Sequence, residues 1–152
     1  MELVLVRHRS RVEHARRIGA TWLRTACRAP EAQIEAFVQV ISELVTNAVV
    51  HGHGDEVDVR MRLVDGEVRL EVDDYSPSAA PEPTCADADC EGGRGLWLVA
   101  AFVDELHGRW GYTGNGTVAW CTFPLTPRPP YTSHEPHPPN HAPAPGSKHE
   151  QR

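Results

Sequence analysis

The stretch Ile41-Ser-Glu-Leu-Val-Thr-Asn-Ala-Val-Val-His-Gly52 is the most informative part of the chain, because it places three polar side chains in an otherwise apolar helical run. Glu43, Asn47 and His51 follow one another at four-residue intervals, which places them on one side of a helix. An acid and an amide on a semi-buried face need partners that satisfy their hydrogen bonds. We therefore expect a ligand beside Glu43 and Asn47, with His51 bracing the site from the apolar stripe at the helix end.

The same helix divides into three faces when its residues are placed at about 100° per position. A broad apolar stripe, expected to dock on a sheet, comprises Ile34, Phe37, Val38, Ile41, Leu44, Val45 and Ala48. A water face comprises Glu31, Glu35, Gln39, Ser42 and Thr46. The third side, too apolar for solvent and too polar for a core, comprises Ala36, Val40, Glu43, Asn47 and Val50. That third side predicts a cleft.

Length and charge favour one acidic globular domain followed by a tail. The chain has 152 residues and a net charge of -6, which argues against a dedicated nucleic-acid binder. An early arginine cluster is interpreted as a solvated helix face and comprises Arg7, Arg9, Arg11, Arg16 and Arg17. No apolar run approaches the roughly 20 residues that cross a bilayer, so we expect a cytoplasmic protein without membrane contact.

Two regions outside the core invite metal-binding interpretations that the sequence does not favour. Cys27, Cys85, Cys90 and Cys121 lack the paired spacing of a zinc site, so free thiols are preferred over a metal loop at residues 85–90. From Thr126 the chain is rich in proline, polar residues and histidine. We expect residues 1–125 to form the domain and residues 126–152 to form a disordered tail, whose unspaced histidines are incidental.

Hydrophobic periodicity predicts an alternation of helices and strands. The predicted helices cover Ser10–Ala26, with Ser10 as its cap, Glu31–His51, with Gly52 as a left-handed cap, and 92–102. The predicted strands cover 2–6, 55–64, 67–73, 104–112 and 117–125, with a hairpin turn at Asp65-Gly66. The sum is an α+β two-layer sandwich, with a mixed, mostly antiparallel sheet, helices on one face, and a long loop over residues 76–91 of the kind that forms lids.

Two downstream segments carry further signals. Val72-Asp-Asp-Tyr-Ser-Pro77 places Asp74 at the end of a strand, and Gly92-Gly-Arg-Gly95 opens a helix whose free N–H groups suit phosphates. The rival interpretation, a dinucleotide-binding turn, requires a parallel strand directly before the glycines. A proline- and aspartate-rich loop precedes them instead.

In this order and spacing, the three segments resemble the N, G1 and G2 boxes of the Bergerat-fold (GHKL) ATPases, and among them the small bacterial anti-sigma factor serine/threonine kinases. The resemblance covers Ser10 to Leu125. It implies that the Asn47 oxygen helps to hold Mg²⁺ on the phosphates of ATP and that Asp74 accepts a hydrogen bond from the adenine amino group. It also implies that Thr117 supports that aspartate through water, and that the nucleotide is further contacted by Gly93, Gly95 and Leu96. Arg94 either adds positive charge to the phosphates or faces solvent.

The resemblance further implies kinase chemistry, with Glu43 as the base that activates a hydroxyl for attack on the γ-phosphate. The implied partners are an anti-sigma factor antagonist, phosphorylated on serine or threonine, and a sigma factor. One departure is that the superfamily's Asp-x-Gly-x-Gly becomes Asp74-Tyr-Ser-Pro-Ser78. An ATP-binding regulator without phosphotransfer therefore stays open, and a detached histidine kinase module ranks below it. Homodimerisation is also left open, with Trp22, Trp97 and Trp110 interpreted as core residues rather than interface anchors.

Overall fold

A computed structural model of the chain describes residues 1–76, 94–113 and 115–126. The strands are β1 (Glu2–Val6), β2 (Glu56–Val64), β3 (Glu67–Asp73), β4 (Arg109–Tyr112) and β5 (Val118–Pro124). The helices are α1 (Ser10–Thr25), α2 (Glu31–His51) and α3 (Arg94–Glu105). The expected tail, the greater part of the expected lid loop, Gly93, Cys85 and Cys90 lie outside the described residues.

The five strands form one open sheet in the order β1-β2-β3-β5-β4, and each pair of neighbours is antiparallel. Alternate strand residues face the three helices, so Val59 and Val72 pair on the buried side, as do Leu70 and Cys121. The predicted α+β sandwich is confirmed. Its sheet is antiparallel at every pairing within the described chain.

Helix α2 lies between α1 and α3 and supplies much of the core. Phe37, Val40, Ile41 and Val45 are fully buried, and the Phe37 ring tilts against Phe123 of β5 at a centroid distance of 5.5 Å. The predicted apolar stripe therefore does dock on the sheet. Trp22 and Trp110 pack against the same core, as predicted, whereas Trp97 is half exposed and is not a core residue.

Within the described ranges, no helix combines the length and apolarity needed to span a bilayer.

Both predicted helix caps are wrong. The cap of α1 is Arg9, and the Ser10 hydroxyl lies 2.8 Å from His8 Nδ1 instead of bonding a helix N–H. Gly52 has φ -63° and ψ 155°, which is extended backbone and not a left-handed cap. The reason is tertiary, because the Arg7 guanidinium donates to the Gly52 carbonyl and draws the chain toward the end of β1.

The boundary between α3 and β4 also differs from the prediction. The helix continues to Glu105 because Val103, and Leu106 just beyond the helix, are buried in line with Leu96 and Val99. Just after the helix, the chain changes direction at His107, whose φ of 55° is left-handed. Strand β4 consequently begins at Arg109 and not at Asp104.

Candidate functional site

The third side of α2 is graded from apolar to polar along the helix. Ala36 and Val40 are buried, Glu43 and Asn47 are half-buried, and Val50 is 45% exposed. Of the five predicted cleft residues, Glu43 and Asn47 alone have an intermediate environment, so the prediction is wrong for Ala36 and Val40, which belong to the core, and for Val50, which faces solvent. Each of the two polar side chains keeps part of its surface accessible.

The first turn of α3 lies directly against Glu43 and Asn47. A Cβ atom added to Gly95 would lie 2.8 Å from Glu43 Oε2 and 3.5 Å from Asn47 Oδ1. Since only glycine lets a helix backbone come this close, the two α2 side chains meet the N-terminal end of α3. The positive end of a helix dipole favours anions there, which suits phosphate groups.

The Glu43 carboxyl sits in a partly desolvated position. Burial raises its pKa above the ordinary glutamate range, because the charged form loses hydration. A carboxylate with a raised pKa binds a proton more tightly than a solvated one. That is the property a general base needs when it takes a proton from a hydroxyl.

Asp74 follows β3 and lies beside the C-terminal end of α2. Its N–H donates to the Thr117 carbonyl oxygen at 3.3 Å, which continues the pairing of β3 with β5. A Cβ added to Gly52 would lie 3.1 Å from the Asp74 Cβ, so the strand end contacts the end of α2. Asn47 precedes Gly52 by five helical positions, or about 7.5 Å of rise. The described site therefore runs from Glu43 along α2 to the end of the helix, where Asp74 lies beside Gly52.

Two further residues lie near Asp74: Tyr112 on β4 and Thr117, which directly precedes β5. The pKa of Tyr112 is raised, first by burial and second by the negative charge of Asp74. Thr117 adjoins Asp74 through its carbonyl, while its hydroxyl donates to Asn115 Oδ1 at 3.1 Å. The role of the Thr117 hydroxyl toward Asp74 stays a prediction.

The other predicted residues have distinct positions. Arg94 is exposed at the start of α3, and Leu96 is buried in the core beneath it. His51 is exposed at the last residue of α2, which contradicts its predicted place against the apolar stripe. The chain turns into the loop before β2 at that point, and among the described residues no packed element covers the imidazole.

Sequence reasoning missed Ser76 and His53. Ser76 is buried, its N–H donates to Asp74 Oδ1 at 2.9 Å, and its hydroxyl accepts the His53 N–H at 2.6 Å. Tyr75, between Asp74 and Ser76, points to the opposite face of the sheet, where its hydroxyl donates to Asp58 Oδ2 at 2.6 Å. The signal available in the sequence was Asp-x-Ser, a common pattern for an aspartate that accepts the N–H two residues on.

The residues present fit a magnesium nucleotide. The Asn47 amide oxygen is a hard ligand of the kind Mg²⁺ takes, and the Asp74 carboxylate is an acceptor suited to an amino group. The close approach at Gly95 brings backbone N–H groups to the same place. Negative charge at Glu43 adjoins the position where phosphates would lie, so binding there depends on the metal and the helix end for compensation.

One family model and several solved structures are similar to this chain. The sequence model of one family, described as the histidine kinase-like ATPase domain, matches residues 6–123. The chain is similar to the histidine kinase domain of the Erythrobacter litoralis EL346 blue-light activated histidine kinase, with 25% identity and a TM-score of 0.48, over 63% of this chain and 46% of that chain. It is also similar to the Acinetobacter baumannii histidine kinase AdeS, with 18% identity and a TM-score of 0.48, over 83% of this chain and 67% of that chain.

The family assignment rests on the family match, because the chain spans less than half of the Erythrobacter domain and a comparison with curated proteins gives no match. That match runs from the end of β1 into β5 and contains Glu43, Asn47, Asp74 and Gly95. The chain therefore belongs to the histidine kinase-like ATPase domain family of the GHKL superfamily, whose domains bind ATP, generally with Mg²⁺.

Proposed function

We propose that this chain is an ATP-binding regulatory protein that acts as an anti-sigma factor serine/threonine kinase on an anti-sigma factor antagonist. The observation that carries the proposal is the meeting of Glu43 and Asn47 with Gly95 at the start of α3. A base, a metal ligand and a phosphate-binding helix end are thereby collected at one place. Asp74, at the far end of α2, supplies the acceptor for the adenine amino group.

In the proposed reaction, Asn47 helps to hold Mg²⁺, which neutralises charge on the phosphates. Glu43 accepts the proton of a serine or threonine hydroxyl on the antagonist. The hydroxyl oxygen forms a bond to the γ-phosphorus, the bond from that phosphorus to the β–γ bridging oxygen breaks, and ADP leaves. The sigma factor, released or held according to the state of the antagonist, is the second partner in this proposal.

Nucleotide titration tests the shared premise. We expect the chain to bind Mg-ATP in preference to Mg-GTP, because the guanine carbonyl faces Asp74 with a second acceptor. Asp74→Asn offers amide donors to that carbonyl and should lower the ATP-to-GTP preference by about tenfold or more, as is typical when a charged hydrogen bond is lost. An ATP-to-GTP preference that calorimetry finds equal in the wild type and the variant would show that Asp74 does not contact the adenine.

Phosphotransfer to antagonist proteins tests the kinase assignment. Glu43→Gln keeps the size of the side chain but removes the proton acceptor, so transfer should fall by about 100-fold or more while Mg-ATP binding persists. Glu35→Gln removes the same charge from the exposed face of α2 and should leave transfer unchanged. Undiminished transfer in Glu43→Gln would remove Glu43 from the mechanism.

A second candidate function, ATP-dependent sequestration without phosphotransfer, is favoured by the Ser76-Pro77 pair that replaces flexible backbone after Asp74. It predicts Mg-ATP binding in the wild type without phosphate transfer to any antagonist. Partner capture that depends on ATP, but is insensitive to Glu43→Gln, would support it over the kinase.

A further inference from the structure

The inference concerns Ser76, which is buried with 4% of its surface exposed and uses its polar atoms on two sides. Its hydroxyl oxygen accepts the N–H of His53 at 2.6 Å. The same hydroxyl lies 3.2 Å from the Asp74 carbonyl oxygen and 3.3 Å from His53 Nδ1, either of which can accept its proton. Ser76 therefore connects the loop after α2 to the chain leaving β3.

Asp74 is the group that this connection holds in place. The Ser76 N–H donates to Asp74 Oδ1 at 2.9 Å, which fixes the direction of the carboxylate relative to its own backbone. In the part of the chain that the structure describes, Oδ2 accepts no hydrogen bond and is the oxygen left for a ligand. Asp74 lies beside Gly52, where an added Cβ would come within 3.1 Å of the Asp74 Cβ.

The hydrogen bonds of Ser76 join two separate parts of the chain, the loop after α2 and the residues after β3, and so they hold more than the local backbone. Movement of residue 76 breaks the hydroxyl's bond to the His53 N–H, and that N–H is then left without its partner. Rotation of the Asp74 carboxylate breaks the bond from the Ser76 N–H. The direction of Oδ2 is thus coupled, through the backbone of residue 76, to the hydrogen bonds of the Ser76 hydroxyl.

We propose that Ser76 is a positioning residue for base recognition, which aims Asp74 Oδ2 at the exocyclic amino group of adenine nucleotides. The proposal rests on the proposed ATP binding and goes beyond it, since it assigns base selectivity to a side chain that does not touch the base. Without the hydroxyl, the carboxylate samples several directions. An acceptor that is free to turn away tolerates the guanine carbonyl better than a fixed one.

The test is a set of calorimetric titrations of the full chain with Mg-ATP and Mg-GTP. We expect Ser76→Ala to lower the ATP-to-GTP preference by about three- to tenfold, as befits the loss of one neutral hydrogen bond acting through a neighbour. Ser76→Cys, which is nearly isosteric but a weak hydrogen-bonding group, should lower it in the same direction. General loss of structure would weaken both nucleotides alike, so the ratio separates positioning from folding.

Tyr75→Phe is the matched control, because it removes a hydroxyl from the adjacent residue on the opposite face of the sheet. It should leave the ATP-to-GTP preference within about twofold of the wild type. Thermal unfolding of each variant establishes that it is folded, and Ser76→Cys carries the test should Ser76→Ala unfold.

The outcomes separate the two proposals. A wild-type chain that prefers ATP, with folded Ser76 variants that keep the full preference, overturns the role of Ser76 and leaves ATP binding intact. A Tyr75→Phe variant that loses the preference to the same extent as Ser76→Ala also overturns it, because any nearby hydroxyl would then serve. A wild-type chain that binds neither nucleotide overturns the proposed function itself.

Discussion

Glu43, the proposed base, lowers the stability of the folded state when it is charged. Its raised pKa, caused by burial, means that folding favours the protonated carboxyl over the carboxylate. Below the ordinary glutamate pKa, both folded and unfolded chains carry the neutral acid, and no penalty applies. As the pH rises through the raised folded pKa, the folded chain acquires a partly desolvated charge and loses stability.

Glu43→Gln should therefore increase the free energy of unfolding near neutral pH, and the gain should vanish as the pH falls below the ordinary glutamate pKa. Urea unfolding followed by circular dichroism at about pH 7 and about pH 4 measures the difference. Glu35→Gln controls for the change in net charge from an exposed position on the same helix. A gain that is equally large at both pH values would contradict the desolvation argument.

A substitution at Gly95 should change protein stability and nucleotide binding in opposite directions. Gly95→Ala adds a good helix former to α3, worth about 1 kcal/mol, but places a Cβ 2.8 Å from Glu43 Oε2. Because a carboxylate at the end of a flexible side chain can turn away, the fold should tolerate the change while the site loses its arrangement. We expect an unchanged or higher melting temperature with at least a tenfold loss of Mg-ATP binding or transfer.

The exposed Ala101 on the same helix offers the reverse change. Ala101→Gly should lower the free energy of unfolding by about 1 kcal/mol and leave nucleotide binding unaltered. Thermal melts and titrations of the two variants together would show opposite patterns. Parallel losses in both variants would mean that Gly95 acts only through helix stability.

At the scale of elements, the β2–β3 hairpin depends on a two-residue turn with left-handed backbone at both positions. Asp65 has φ 51° and Gly66 has φ 80°; apart from the two neighbours of Gly66 in the chain, no described residue has an atom within 4 Å of a Cβ added there. The effect of a substitution there is consequently one of backbone conformation and not of crowding. Gly66→Ala should reduce stability by about 1 kcal/mol, measured by urea unfolding.

Replacing Gly66 with asparagine tests whether backbone conformation, and not the presence of a side chain, causes the loss of stability. Asparagine adopts left-handed backbone more readily than alanine, so Gly66→Asn should be less destabilising than Gly66→Ala. A larger loss for asparagine would point to an unrecognised contact at the turn. Neither change should alter nucleotide binding, since the turn lies at the end of β3 remote from Asp74.

Elements with strong periodicity were predictable, and those whose ends depend on tertiary contacts were not. The bounds of α2 and the turn at Asp65-Gly66 follow from local pattern and turn chemistry. The conformation of Gly52 depends on Arg7, which is 45 positions away in the chain. The end of α3 depends on whether Val103 and Leu106 find a core to enter. Local sequence contains neither fact.

The candidate site shows the same division. Spacing alone was sufficient to place Glu43 and Asn47 on one side of a helix, since helical geometry is periodic. Their approach to Gly95 joins elements separated by a long stretch of chain, and only the resemblance to known boxes predicted it. The hydroxyl of Ser76 escaped prediction because its partner, the N–H of His53, carries no signal in the sequence.

For the whole molecule, Cys121 reports on the integrity of the core. It is fully buried on β5, and burial raises the pKa of its thiol to about 12. Because the thiolate is the reactive form, alkylation near neutral pH should require exposure by unfolding. We expect Cys121 labelling, followed by mass spectrometry of its peptide, to rise with urea in parallel with loss of helical signal.

Cys27 provides the comparison, since it is buried near the molecular edge after α1 with 9% of its surface exposed. Burial also raises the pKa of its thiol. Its labelling should begin at lower urea than that of Cys121, by local opening at the end of the helix. Rapid labelling of Cys121 in the native protein would contradict the packing of β5 against the helices.

The strand order places β3 between β2 and β5, so β3 has a hydrogen-bonded neighbour on both sides and leads directly into Asp74. In terms of amide hydrogen exchange, its N–H groups can reach solvent only when one neighbour separates, whereas the edge strands β1 and β4 open at their free side. The carboxylate that we assign to adenine therefore follows the central strand of the sheet, which we expect to exchange more slowly than either edge strand. Fluctuations that fray either edge leave the direction of that carboxylate undisturbed.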